Sequence, residues 1–182
     1  AATAPTDPAN GQLWLDTVTK VLKFYDPTEG SDEQTTSDSY TSLFEGDAVR
    51  VAQRKTISNR YITKLGFWLS KYYSPTGDVT FTVRKVSDDE VILTKVWGNA
   101  SALTTEATYK EVTFTTPVLV NEEVRLCVEF SGGGIMATVK VEDNSGDVKA
   151  CENEWRYISE WTDWVPRDLK YKVSWSPGWA AV

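Results

Sequence analysis

The chain has 182 residues and a mass of 20.4 kDa, long enough for one well-packed domain with an appendage. It holds 19 Lys and Arg against 26 Asp and Glu, a formal net charge of -7, and no histidine. The missing imidazole excludes the Ser-His-Asp and Cys-His triads and the usual zinc sites, which disfavours an enzyme while leaving a carboxylate mechanism open. The acidic balance argues against a nucleic-acid partner, whose phosphates need Lys and Arg. No stretch approaches the roughly 20 apolar residues of a membrane span, so no membrane insertion is expected.

The charge is unevenly placed. Residues 1–46 carry two basic and eight acidic side chains, a net of -6, whereas the remaining 136 residues are nearly neutral. Such asymmetry separates an arm or linker from a domain. In chain order, residues 1–26 form an extended lead-in followed by a hairpin of two apolar runs, Gln12 to Leu15 and Val21 to Tyr25. Leu13, Leu15, Val21 and Tyr25 are expected on one face, with Trp14, Leu22 and Phe24 on the other. A two-stranded hairpin is marginal alone in water, so Leu13, Trp14, Leu22 and Phe24 are candidate assembly residues. Residues 27–46, acidic and rich in Ser and Thr, read as a linker or long loop.

From residue 47 to the C-terminus the pattern is that of strands. Val79, Phe81 and Val83 alternate with polar neighbours, as do Val124, Leu126, Val128 and Phe130, and then Leu169, Tyr171, Val173 and Trp175. Tyr61 to Tyr73 reads as a long strand with Leu65, Phe67 and Leu69 inward, leaving Trp68 on the opposite, exposed face. Turn clusters such as Ser74-Pro75-Thr76-Gly77 and Asn144-Ser145-Gly146-Asp147 separate the strands. One or two helical turns are expected around Ala100 to Thr108. The fold class is therefore all-β, a jelly-roll-like antiparallel β-sandwich preceded by a hairpin arm, with an up-and-down barrel as the alternative.

Two stretches resemble known families. Pro5 to Thr17, containing Gly11-Gln12-Leu13-Trp14-Leu15-Asp16-Thr17, followed by Leu22-Lys23-Phe24-Tyr25-Asp26, resembles a short element of bacteriophage and other viral tail, fibre and virion structural proteins. Within residues 47–175, Val49-Arg50-Val51-Ala52-Gln53, Ser74 to Val79, Thr116-Pro117-Val118, Trp164 and Asp168 to Val173 resemble β-sandwich domains of secreted, cell-surface and virion proteins. The resemblance implies a non-enzymatic structural or binding role, in a virion or at a cell surface, with homo-oligomers or other surface proteins as partners. It transfers no catalytic residue.

Three constellations bear on chemistry. Cys127 and Cys151 stand 24 residues apart, either bridged, closing a loop worth about 3.5 kcal/mol, or as two separate thiols. Asp143, Asn144 and Asp147 lie in an acidic turn and offer the oxygen ligands Ca²⁺ prefers, although the EF-hand spacing is missing. Trp155, Tyr157, Trp161 and Trp164, interleaved with carboxylates and Arg156 and Arg167, have the composition of a glycan-binding surface. Alternate aromatics of this kind also fill cores. Trp179, near the C-terminus, is expected to be exposed. The leading expectation is a structural and adhesion protein of a virion or cell surface; a carbohydrate-binding module is the alternative.

Overall fold

The computed structural model describes residues 4–6, 9, 12–26, 29–164, 166–176 and 178–181, with side chains described except at 24–26 and 178–181. The described chain is all-β, apart from a single 3₁₀ turn at Ala100–Ala102.

Two very long strands organise the fold: β5 (Arg50–Tyr72) and β8 (Thr108–Glu129) pair antiparallel along most of their lengths. Their register shifts between Ile57 and Arg60 and between Ile62 and Lys64, and Asn59 adopts a left-handed φ of 52°. Bulges of this kind bend a strand and increase its twist, so one strand can serve both layers. The N-terminal half of β5 and C-terminal half of β8 are flanked by β6 (Asp78–Lys85), β7 (Val91–Asn99), β10 (Asn153–Tyr157) and β11 (Trp161–Asp163). The other half of β5 pairs with β13 (Tyr171–Ser176) and then β9 (Thr138–Asn144), which also pairs with β12 (Asp168–Leu169).

The layers close over a core supplied by alternate residues. Val79, Phe81, Val83, Val124, Leu126 and Val128 are fully buried, and so are Leu65, Phe67, Leu69, Val139, Val141, Tyr171 and Val173. Phe67 and Phe81 meet edge to face at 5.2 Å between ring centroids, an arrangement favoured by the ring quadrupoles. This is the sandwich-like packing that the alternation predicts.

Within the stretch 27–46, expected as a linker or long loop, two segments are strands of the sheet. β3 (Gly30–Gln34) pairs with β13, and β4 (Ser39–Leu43) pairs with β9. Their inward residues include Gln34 and Thr41, polar side chains that disguise the strand period. The acidic charge is matched locally: Asp32 pairs with Lys55 at 2.5 Å and also with Lys149, and Glu33 pairs with Lys172 at 3.0 Å.

The arm forms its own three-stranded sheet. β1 (Leu13–Asp16) and β2 (Val21–Asp26) make the hairpin, and β14 (Gly178–Ala181) adds to the free side of β2. Asp16 fixes the turn: its carboxylate accepts hydrogen bonds from the Val18 and Thr19 amides at 3.0 and 3.2 Å and pairs with Lys23 at 3.2 Å. Bonding to Thr19 is the largest of the effects holding that carboxyl down to about 2. Among the described residues no helix is long and apolar enough to cross a membrane.

Candidate functional site

Among the described residues, the arm exposes a row of apolar side chains. Its register pairs Leu13 with position 24, Leu15 with Leu22, and Trp14 with Lys23. Leu13, Leu15 and Leu22 therefore share one face, with Trp14, Val21 and Lys23 on the other, which corrects the expected grouping. The loop from Thr17 to Lys20 has four residues, one fewer than that grouping assumed, and a one-residue slip exchanges faces. Leu13, Leu15 and Leu22 are 60%, 52% and 42% exposed, and Val18 at the turn is exposed as well. On the opposite face, the Lys23 ammonium lies 5.2 Å from the Trp14 ring. The side chains of Phe24 and Trp179 lie outside the described residues.

The aromatic cluster of β10 and β11 divides. Register places Trp155, Tyr157 and Trp161 on the outer face of the sheet, beside Arg50, Ala52 and Arg54 of β5 and Arg125 and Cys127 of β8. Tyr157 and Trp161 meet at 5.4 Å. Guanidinium groups cover the rings: Arg125 lies 5.2 Å from Trp155 and 4.8 Å from Trp161, and Arg50 lies 4.3 Å from Tyr157. Each cation has its own counterion or acceptor. Arg54 forks onto Glu123 with two 2.7 Å bonds, Arg84 bonds Glu129 at 2.8 Å, and Trp161 donates to Asp89 at 2.7 Å. Stacked and neutralised in this way, the three rings form a half-buried layer over the sheet. Trp164 belongs to the other side, where it is 43% exposed and its ring receives Arg156 at 4.0 Å.

Of the two readings of the cysteines, the structure has the separate thiols. Cys127 is buried beneath the aromatic and arginine layer, and Cys151 is exposed; both are free thiols. Burial is the main cause that raises the Cys127 thiol far above its ordinary value.

The acidic turn does not assemble a cation cage. Asp143, placed inward by β9, is fully buried and takes two 3.0 Å bonds from Arg167, together with one of 2.9 Å from the Thr41 hydroxyl. Asn144 caps the turn through the Gly146 amide at 3.0 Å, while Asp147 is exposed. Among the described residues, no three His, Cys, Asp or Glu side chains converge as a metal set.

Asp143 belongs instead to a polar pocket inside one end of the sandwich. The same Thr41 hydroxyl lies 2.6 Å from Glu154, so its single proton is shared between the two carboxyl groups, and Arg156 bonds Glu154 at 3.1 Å. Nearby, Gln53 holds Asp168 at 2.6 Å and accepts from the Leu169 amide at 2.7 Å, and the Val148 and Lys149 amides bond Asp168 at 2.7 and 2.8 Å. This network pins β4, β5, β9, β10 and β12 together, so its carboxylates serve the fold.

Sequence reasoning missed a second aromatic surface, made by Tyr40 of β4, Tyr72 and Tyr73 at the end of β5, and Lys140 of β9. No protein-family model matches the chain, and no curated protein matches it.

Proposed function

We propose that the chain is a non-enzymatic structural and adhesion protein of a virion (tail, fibre or capsid-associated) or of a cell surface, and that it self-assembles through its N-terminal arm. The observation that carries this reading is the row of Leu13, Leu15 and Leu22 on one face of the small sheet, facing solvent. An apolar row on a three-stranded sheet is a docking surface for a second apolar surface. Covering the three leucines would contribute about 3 kcal/mol per copy. The likeness of residues 5–26 to viral tail and fibre proteins supports the virion setting.

Carbohydrate recognition by Trp155, Tyr157 and Trp161 would require Arg50 and Arg125 to leave the ring faces, and nothing there favours it.

The test is light scattering on the eluting protein, comparing the unaltered chain with a Leu15→Lys, Leu22→Glu variant. Both positions are exposed in the single chain, so the variant should fold normally. The proposal expects an oligomer for the first and a single chain for the second. A monomeric unaltered chain, or an oligomer that the substitutions leave intact, would overturn it.

A further inference from the structure

A shallow groove of about 340 Å³ crosses the outer face of β4, β9 and the end of β5. Tyr40, Ser42, Tyr72, Thr138 and Lys140 line it, with Ile135 at its lip. We infer that this groove binds a carboxylate-bearing sugar, a pyranose whose apolar face lies on the tyrosines and whose carboxylate meets Lys140.

Exposed ring surface is the first support. Tyr40, Tyr72 and Tyr73 are 48%, 40% and 60% exposed, unlike the covered rings of the opposite face. Flat aromatic surface flanked by hydroxyls suits a pyranose, which has an apolar C–H face and a polar rim.

The charge supplies the specificity. The Lys140 ammonium sits 3.9 Å from the Tyr40 ring and 5.1 Å from that of Tyr72. Among the described residues no carboxylate lies within ion-pair distance of it, whereas most other basic side chains of this sheet have one. An ammonium held over two rings without a counterion is complementary to an acidic ligand rather than a neutral one. Beneath it, Thr138 is 3% exposed and its buried hydroxyl has no hydrogen-bond partner. Unpaired buried hydroxyls are uncommon and costly, and this one lies in the groove wall where a ligand oxygen can satisfy it.

The groove is held in shape before any ligand arrives. Tyr73 adopts a left-handed φ of 54°, unusual for a bulky residue, and its ring stands edge-on to Tyr72 at 4.5 Å. The Gly134 and Ala137 backbones exchange hydrogen bonds of 3.2 and 2.8 Å, which fixes the loop that raises Ile135. At Gly133, φ is 72° and a Cβ would lie 1.9 Å from the Ala137 carbonyl oxygen, so only glycine fits the loop. Ordering costs are thus largely met in the free protein.

Saturation-transfer NMR on the full chain tests this, with methyl β-glucuronide and the α-methyl glycoside of N-acetylneuraminate as acidic probes, methyl β-glucoside as the neutral one and tetraglutamate as a peptide competitor. Transfer is expected to at least one acidic glycoside, with affinity lowered about tenfold by Lys140→Gln and by Tyr72→Ala. Trp161→Ala and the Leu15→Lys, Leu22→Glu variant should leave binding unchanged, which separates this site from arm-driven assembly. The inference is overturned if neither acidic glycoside shows transfer, if the neutral glycoside binds as well, if tetraglutamate binds where the sugars do not, or if Lys140→Gln has no effect.

Discussion

Glu154→Gln isolates the chemistry of the polar pocket. Glu154 is fully buried; one carboxylate oxygen takes Thr41 and Arg156, and the other has no partner. Burial first, then the charge of Asp143, pushes its carboxyl up from 4.5 to about 7, against the pull of Thr41 and Arg156. A folded value above the unfolded one means that the folded chain holds the extra proton between the two. The associated stability is fully present below about 4.5 and is lost as the pH rises through about 7. The rise corresponds to about 3 kcal/mol, or roughly 6 to 12 °C in Tm for a chain of this length. Glutamine keeps the shape and the acceptor oxygen but does not titrate. Urea denaturation of both proteins from pH 5 to pH 8 should show the unaltered chain losing about 2.5 kcal/mol relative to the variant. Asp168, also raised by burial, is present in both proteins and cancels in the difference. Parallel curves for the two proteins would refute the reasoning.

Arg167→Ala strands the fully buried Asp143 carboxylate and should cost about 3 kcal/mol or more by chemical denaturation at neutral pH, with little loss if the charge is otherwise satisfied. Thiol titration should find one reactive cysteine in the native protein, Cys151, and two in denaturant; none in denaturant would restore the bridge. Gly66→Ala would place its Cβ 2.4 Å from the Tyr109 hydroxyl, displacing a ring that covers the glycine and packs 4.7 Å from Trp68. A loss of about 1 to 3 kcal/mol is expected from thermal unfolding, and an unchanged Tm would contradict that packing.

What was legible in the chain was legible because it was local and alternated. Val79, Phe81 and Val83, or Leu65, Phe67 and Leu69, announce their inward faces at a period of two. β3 and β4 escaped because their inward positions include Gln34 and Thr41, whose burial makes sense only once Asp168, Asp143 and Glu154 are known to face them. The hairpin itself was visible, but its faces depended on turn length, and the Asx turn at Asp16 set a shorter loop than the apolar runs suggested. Cys127 followed the expected parity, opposite Leu126 and Val128, yet a second layer of Trp155 and Arg125 buries that outer face too. The tyrosine groove draws on residues 40, 72, 73 and 140, brought together by pairing between distant strands. Nothing in a local window points to such a site.

The claim that copies meet on the arm is tested most directly by hydrogen exchange followed by mass spectrometry across a protein concentration series. If association uses the Leu13, Leu15 and Leu22 face, protection of the β1 and β2 amides rises with concentration while exchange in β6 and β7 stays constant. Arm exchange that does not change with concentration, or concentration-dependent protection confined to the sandwich, would contradict it.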